Sequence, residues 1–197
     1  MSLLLETIKI RDSEYQNLEY HTARMNLSRK ILLACRDVID LNKILPKPDF
    51  PVKGIYKCRI LYGHKVDRIE IHRYRKNIPG SLKIIESSGI DYSHKYANRK
   101  TIDDLKKGVE EDDILMVING FIGDTSYANI IFSDGEKWFT PSTPLLRGTK
   151  REKLLKENKI IERSITLKDL RKYEEARLIN AMIEIEDCVS IPIKNFK

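Results

Sequence analysis

The sequence predicts an α+β fold, and three observations carry that prediction. Segments with apolar residues at every second position come in pairs joined by short turns, the mark of antiparallel hairpins. Helical periodicities stand singly between these pairs. No regular strand–helix–strand alternation runs through the chain, so a purely parallel sheet is not expected.

Taken in order, "LLLETIKIRD" (3–12) reads as a strand, and "SEYQNLEY" as a turn and second strand completing a hairpin. Residues 21–41 place Met25, Leu32, Leu33, Cys35, Val38, Ile39 and Leu41 at helical spacing, and "PKPDFP" (46–51) ends the pattern. "GIYKCRILYG" and "HKVDRIEIHRYR" alternate about Gly63-His64 as a second hairpin. "RKNIPGS" (75–81) is the best boundary in the chain. It divides a small N-terminal α+β domain, 1–76, from a larger C-terminal domain, 77–197.

Beyond it, "SLKIIES", "DDILMVING", "NIIFSDGEKWFT" and "KIIERSI" read as strands, with Asn-Gly and Asp-Gly turns between some of them. "NRKTIDDLKKGVEE" reads as a polar helix and "TKREKLLKEN" as a short helix after Gly148. "ITLKDLRKY" reads as another, with Thr166 as its N-cap. The tail "EARLINAMIEIEDCVSIPI" is strand-rich.

With 197 residues, 41% hydrophobic and 33% charged, the chain can bury a core. No apolar run of about 18 residues predicts a membrane helix. The start, "MSLLLETIKIRD", lacks the basic region of a signal peptide. The three cysteines, Cys35, Cys58 and Cys188, form no CxxC and read as buried thiols of a cytoplasmic protein. The net charge of +7 raises the alternative of a basic nucleic-acid-binding domain. Its bases are interleaved with 29 acids, and no basic arm, aromatic ribonucleoprotein motif or zinc-finger spacing accompanies them. One smaller anion, a phosphate or carboxylate, needs only one or two of these arginines. No nucleic acid, membrane or metal partner is expected.

Four stretches bear on chemistry. In "DYSHKYANRK" (91–100), Lys95 lies between Tyr92 and Tyr96. It is either a solvated charge or a lysine whose neutral amine is made available by a pocket of low polarity. "INGFIGDTSYANIIF" (118–132) sets Asp124 among hydroxyls ahead of Asn129, either as a tight hairpin loop or as a carboxylate on a rigid segment. "TPSTPLLRGTKREKLL" (140–155) opens a helix after Gly148, and a helix start offers amides to an anion. "YHTAR" (20–24) places Arg24 one turn after His21.

Together with "ETIKI", "LEYHTARMN", "FTPSTPLLRGTKR" and "RLINAM", these pieces span almost the whole chain. The sequence resembles the class IV aminotransferases, the pyridoxal-phosphate enzymes of fold type IV. That family includes branched-chain and D-amino-acid aminotransferases and 4-amino-4-deoxychorismate lyase. The resemblance implies a D-amino-acid aminotransferase-like fold, a small α/β sandwich domain plus a larger pseudo-barrel β domain that binds the cofactor. It implies that Lys95 forms the internal aldimine with pyridoxal 5'-phosphate and shuttles protons. Arg24 and the backbone of Thr149 and Lys150 then hold the phosphate, with Asn180 and Ala181 near it. Asp124 falls where the family usually has a glutamate paired with the pyridine nitrogen, and is one methylene shorter. "KYANR" and "INAM" look more like the lyase branch. The resemblance therefore implies elimination of pyruvate from aminodeoxychorismate to give p-aminobenzoate, with amino acid transamination as the alternative. It also implies a homodimer acting on a small amino substrate. The start at the "ETI" strand leads one to expect an altered substrate side, since relatives usually carry a further amino-terminal segment there.

Overall fold

The computed structural model describes residues 3–47, 54–87, 89–186 and 189–197. The chain forms two compact units: Met1–Lys76 with His94–Asn98, and Asn77–Ser93 with Arg99–Lys197.

In the first unit β1 (Leu4–Arg11) turns through Asp12 and Ser13, both at positive φ, into the two-residue β2 (Glu14–Tyr15). The expected second strand stops there. Asn17 takes the left-handed conformation, and α1 (Leu18–Leu33) begins at once. The helical pattern expected over 21–41 is likewise cut short. Ala34 closes α1 with φ 53°, Val38 is left exposed, and Leu41 belongs to a separate turn, α2 (Leu41–Ile44). β3 (Ile55–Tyr62) and β4 (Val66–Arg73) form the second hairpin as expected, and the sheet runs β2-β1-β3-β4, all antiparallel. The expected breaker "PKPDFP" lies largely outside the described residues.

Strand pairing gives the sheet two faces of different chemistry. Leu4, Ile8 and Ile10 pack with Cys58, Ile60 and Tyr62 against Met25 of α1 and Leu41 of α2. On the other face the register sets Thr7, Arg59 and Glu70 in one rung and Lys9, Lys57 and His72 in the next. Charge is also divided between the units. The first unit holds 17 Lys and Arg against 9 Asp and Glu, a balance of +8, and the second holds 19 against 20, a balance of −1. Bases that look evenly spread along the chain are thus divided unequally between the units.

In the second unit β5 (Leu82–Glu86) pairs in parallel with β6 (Asp113–Ile118), with α3 (Lys100–Leu105) in the connection. β6 turns through Asn119 and Gly120, both at positive φ, into β7 (Phe121–Thr125). That strand occupies part of a stretch whose loop reading does not hold. β8 (Asn129–Ser133) and β9 (Trp138–Pro141) form a hairpin. α4 (Thr149–Lys156), β10 (Ile161–Arg163), β11 (Glu175–Ile179) and β12 (Ile191–Pro192) follow, and the second sheet runs β10-β9-β8-β11-β12. Every residue of β8 is buried. Ile131 and Ile179 meet Leu154 of α4 and Ile160 in one core cluster. Thr166 caps as expected, through a reciprocal box with Asp169, but the turn it caps (Leu167–Lys172) is a 3-10 helix.

Among the cysteines, Cys58 is buried and burial pushes its thiol up to about 12. Cys35 is only half-buried, a correction to the expectation, because α1 ends before it. Cys188 lies outside the described residues. Among the described residues no helix is long and apolar enough to cross a membrane.

Candidate active site

In the first unit the site is organised by the start of β1. Residues 94–98 lie alongside it: the Leu5 N–H donates to the Lys95 carbonyl at 2.9 Å, and the Ala97 N–H donates to the Leu3 carbonyl at 2.8 Å. Tyr96 packs against the core, and His94 Nδ1 lies 3.0 Å from Ser28 Oγ on α1. Lys95 is half-buried. The next residue of β1, Glu6, is fully buried and meets two side chains of α1. Arg24 Nε donates to Oε1 at 2.9 Å and Nη2 to Oε2 at 2.6 Å, while His21 Nδ1 lies 2.7 Å from Oε2. Arg24 and Lys95 are thus fastened to adjacent residues of one strand, Arg24 through a side chain and Lys95 through its backbone.

Burial of Glu6 works against its charge, but the guanidinium and the imidazole outweigh it and hold the carboxyl down at about 2. His21 moves down as well, because burial disfavours its charged form and the charges of Arg24 and Lys95 oppose it, more than Glu6 favours it.

In the second unit Asp124 sits on β7. Gly123 lets that strand lie close: a Cβ there would come 3.1 Å from Ile118 and 3.2 Å from the Met116 carbonyl. The Asp124 carboxyl accepts from Asn129 Nδ2 at 2.8 Å and from the Leu146 N–H at 2.9 Å. Asn129 Nδ2 also donates to the Leu146 carbonyl at 2.9 Å. A Cβ on Gly148 would fall 2.1 Å from Asn129 Oδ1, so only glycine fits between Asn129 and the first turn of α4. Asp124, Asn129 and the start of α4 are therefore one cluster. Burial raises the Asp124 carboxyl to about 6, against the Leu146 N–H, the Asn129 amide and the Arg151 charge.

The first intrahelical bond of α4 runs from the Glu152 N–H to the Gly148 carbonyl at 2.9 Å, so the amides of Thr149 and Lys150 precede it. Thr149 and Lys150 are both buried, and the Lys150 side chain pairs with Glu184. Arg151, also buried, donates to the Pro141 carbonyl at 2.9 Å and pairs with Glu162. Asn180 makes a long 3.5 Å bond to the Tyr127 carbonyl and accepts from the Met182 N–H at 2.8 Å, with Ala181 in the turn between.

Sequence reasoning does not assign Glu6, His21 or Asn129 to the site. Glu6 carries a readable signal, a lone acid in the inward register of Leu4, Ile8 and Ile10, which calls for a buried cation. Among the described residues, no group of three or more His, Cys, Asp and Glu could hold a metal.

Each unit holds groups of kinds that suit pyridoxal phosphate, an amine and a guanidinium in the first and a helix start and a buried carboxyl in the second. The class IV amino-transferase family model matches residues 81–191, and the chain belongs to that family. The family uses pyridoxal phosphate, and its members are enzymes. An uncharacterized protein of Haemophilus influenzae is 35% identical over 183 residues, covering 91% of this chain and 97% of that one. A crystal structure from Haemophilus somnus 129pt, provisionally named a 4-amino-4-deoxychorismate lyase, is 36% identical with a TM-score of 0.86, covering 92% of this chain and 97% of that one. A structure from Mesorhizobium loti, provisionally named an amino-acid aminotransferase, is 19% identical with a TM-score of 0.79. It covers 100% of this chain and 99% of its own, and shares the fold. The chain thus has the α+β architecture of fold type IV.

Proposed function

We propose that this enzyme carries pyridoxal phosphate on Lys95 and acts as an aminodeoxychorismate-lyase-like enzyme, releasing pyruvate to leave p-aminobenzoate. The observation that carries the choice of branch is the 36% identity, over 92% of the chain, with the provisionally named Haemophilus somnus lyase. Amino acid transamination is the second reading, favoured by the fold shared with the Mesorhizobium loti protein. A cytoplasmic homodimer accompanies either reading.

In this reading Lys95 Nζ provides the covalent attachment and moves the proton at the substrate's α-carbon. Arg24 and the amides of Thr149 and Lys150 hold the phosphate, and Asn180 and Ala181 border it. Asp124 faces the pyridine nitrogen. The bound cofactor supplies an electron sink for the charge left on the α-carbon. Asp124 fits its role in one specific way. A carboxyl raised by burial to about 6 regains its charge beside a cation, so the pyridinium and the acid stabilise each other.

Absorbance of the protein with and without pyridoxal phosphate, followed by borohydride reduction and peptide mapping, tests the attachment. The label is expected on Lys95 and absent in Lys95→Ala. A label on another lysine rejects the assignment. Pyruvate release from aminodeoxychorismate, with the cofactor's visible band restored, supports the lyase. Conversion of that band to the pyridoxamine form by glutamate or alanine supports the transaminase.

A further inference from the structure

An ionised carboxylate in the apolar register of β1 persists only if cations meet it. Glu6 has none of its surface exposed, and the Arg24 fork and His21 occupy both of its oxygens. An ionised carboxylate accepts and does not donate, so His21 Nδ1 carries the proton in that contact. The lone pair of the neutral ring is then on Nε2, which is where a further proton would enter.

We propose that Glu6 positions Arg24 for the cofactor's phosphate, and that His21 takes up a proton as the phosphate is bound. This rests on the assignment of Arg24 made above and deepens it. The positioning follows from geometry: two parallel bonds, 2.9 and 2.6 Å, fix the guanidinium plane, which one contact would leave free to turn. The Arg24 side chain keeps 14% of its surface exposed, so the fork orients it without enclosing it.

The proton follows from charge. The charges that act on His21 are those of Glu6 from β1, Arg24 from its own helix and Lys95 from the 94–98 segment, while the charges of Glu6 and Arg24 also act on Tyr62 of β3. Burial first, and then the charges of Arg24 and Lys95, push the imidazole toward its neutral form. A phosphate dianion at Arg24 offsets the two charges, though not the burial, and a fully buried imidazole 2.7 Å from a carboxylate is the group placed to respond.

The test titrates pyridoxal phosphate onto the whole apo-protein between pH 6 and 9. Glu6→Gln is expected to weaken binding about tenfold or more, since one good charge-assisted contact is lost. Against His21→Asn, which keeps a donor near Nδ1, the ratio of variant to wild-type Kd should be largest near pH 6 and fall toward 1 by pH 9. Proton uptake strengthens binding only where the proton is available, so the advantage disappears as pH rises. A purely structural role would give the same ratio at every pH. Unchanged affinity in a folded Glu6→Gln variant, or a flat ratio for His21→Asn, overturns the inference. If Glu6→Gln fails to fold, the His21→Asn profile decides alone. If Arg24→Ala also binds with wild-type affinity, the statement that fails is the phosphate assignment itself.

Discussion

Glu6 in the first unit and Asp124 in the second are both buried carboxyls, and they are displaced in opposite directions. Glu6, in the unit with a balance of +8, is held at about 2; Asp124, in the unit with a balance of −1, is raised to about 6. Burial raises both. The difference lies in the partners. Glu6 meets a guanidinium through two charge-assisted bonds, whereas Asp124 meets an amide side chain and a backbone N–H, which stabilise the charge less than they cost in lost hydration. Whether a buried acid is a fixed anion or a group that titrates near neutrality depends on the charge beside it, not on its depth.

The sharpest way to break this contrast is to remove each acid. Glu6→Ala leaves Arg24 and His21 facing an apolar void and should cost about 3–5 kcal/mol. Asp124→Ala takes the acceptor from two neutral donors, Asn129 Nδ2 and the Leu146 N–H, and should cost about 1–3 kcal/mol. Urea midpoints check both, and equal losses would erase the distinction.

The pH dependence should have opposite signs. The contribution of Glu6 is complete above its ordinary value of 4.5 and disappears as pH falls through about 2. The advantage of wild type over Glu6→Gln should therefore close in that acid range. Asp124 contributes below its ordinary value of 3.8 and loses that contribution as pH rises through about 6. The gap between wild type and Asp124→Asn should move in the variant's favour by about 3 kcal/mol from pH 3.8 to 7, since each tenfold change in proton affinity is worth about 1.4 kcal/mol. Two gaps moving the same way with pH would contradict the assignment.

Gly148→Ala sharpens the second half of the comparison without touching an acid. The added methyl displaces Asn129 from Asp124 and Leu146, at about 1–3 kcal/mol, and should raise the Asp124 carboxyl further. Carboxyl-carbon NMR reads that titration directly. The smallest effect is expected at Asp104. It is also held at about 2, by Lys100 and Lys107, yet both of those lysines are solvent-exposed. Asp104→Asn should leave the melting temperature unchanged within error, because exposed pairs are screened and contribute little.

Much of this arrangement is legible in the sequence because hairpins declare themselves locally. The alternation of "GIYKCRILYG" and "HKVDRIEIHRYR" gives β3, β4 and their pairing without reference to anything distant. Terminations are less legible. Apolar spacing continues past Ala34, but spacing says nothing of a residue settling at positive φ, so the pattern overextends the helix. Of the two readings of the Asp124 stretch, the hairpin loop rests on Gly, Asp, Thr and Ser favouring turns, while close packing of Gly123 against Ile118 and Met116 goes with a strand there. Lys95, Arg24 and Asp124 are reached through family likeness. The partners that set their electrostatics are brought together by tertiary contacts: Glu6 is 18 residues from Arg24, and Leu146 is 22 from Asp124.

The segment that runs beside β1 has a consequence for synthesis. A nascent chain that has left the ribosome only to residue 76 already contains β1 to β4 and both helices of the first unit. The amide of Leu5 and the carbonyl of Leu3, however, still await Lys95 and Ala97. Until residue 98 emerges, β1 offers an open edge beside Leu4 and Leu5, side chains that are buried in the finished protein. Such an edge can recruit a strand from another chain. A translational pause between residues 76 and 94 is therefore the interval in which a holdase would matter most, and the lysine assigned to the chemistry lies on the segment that closes the edge.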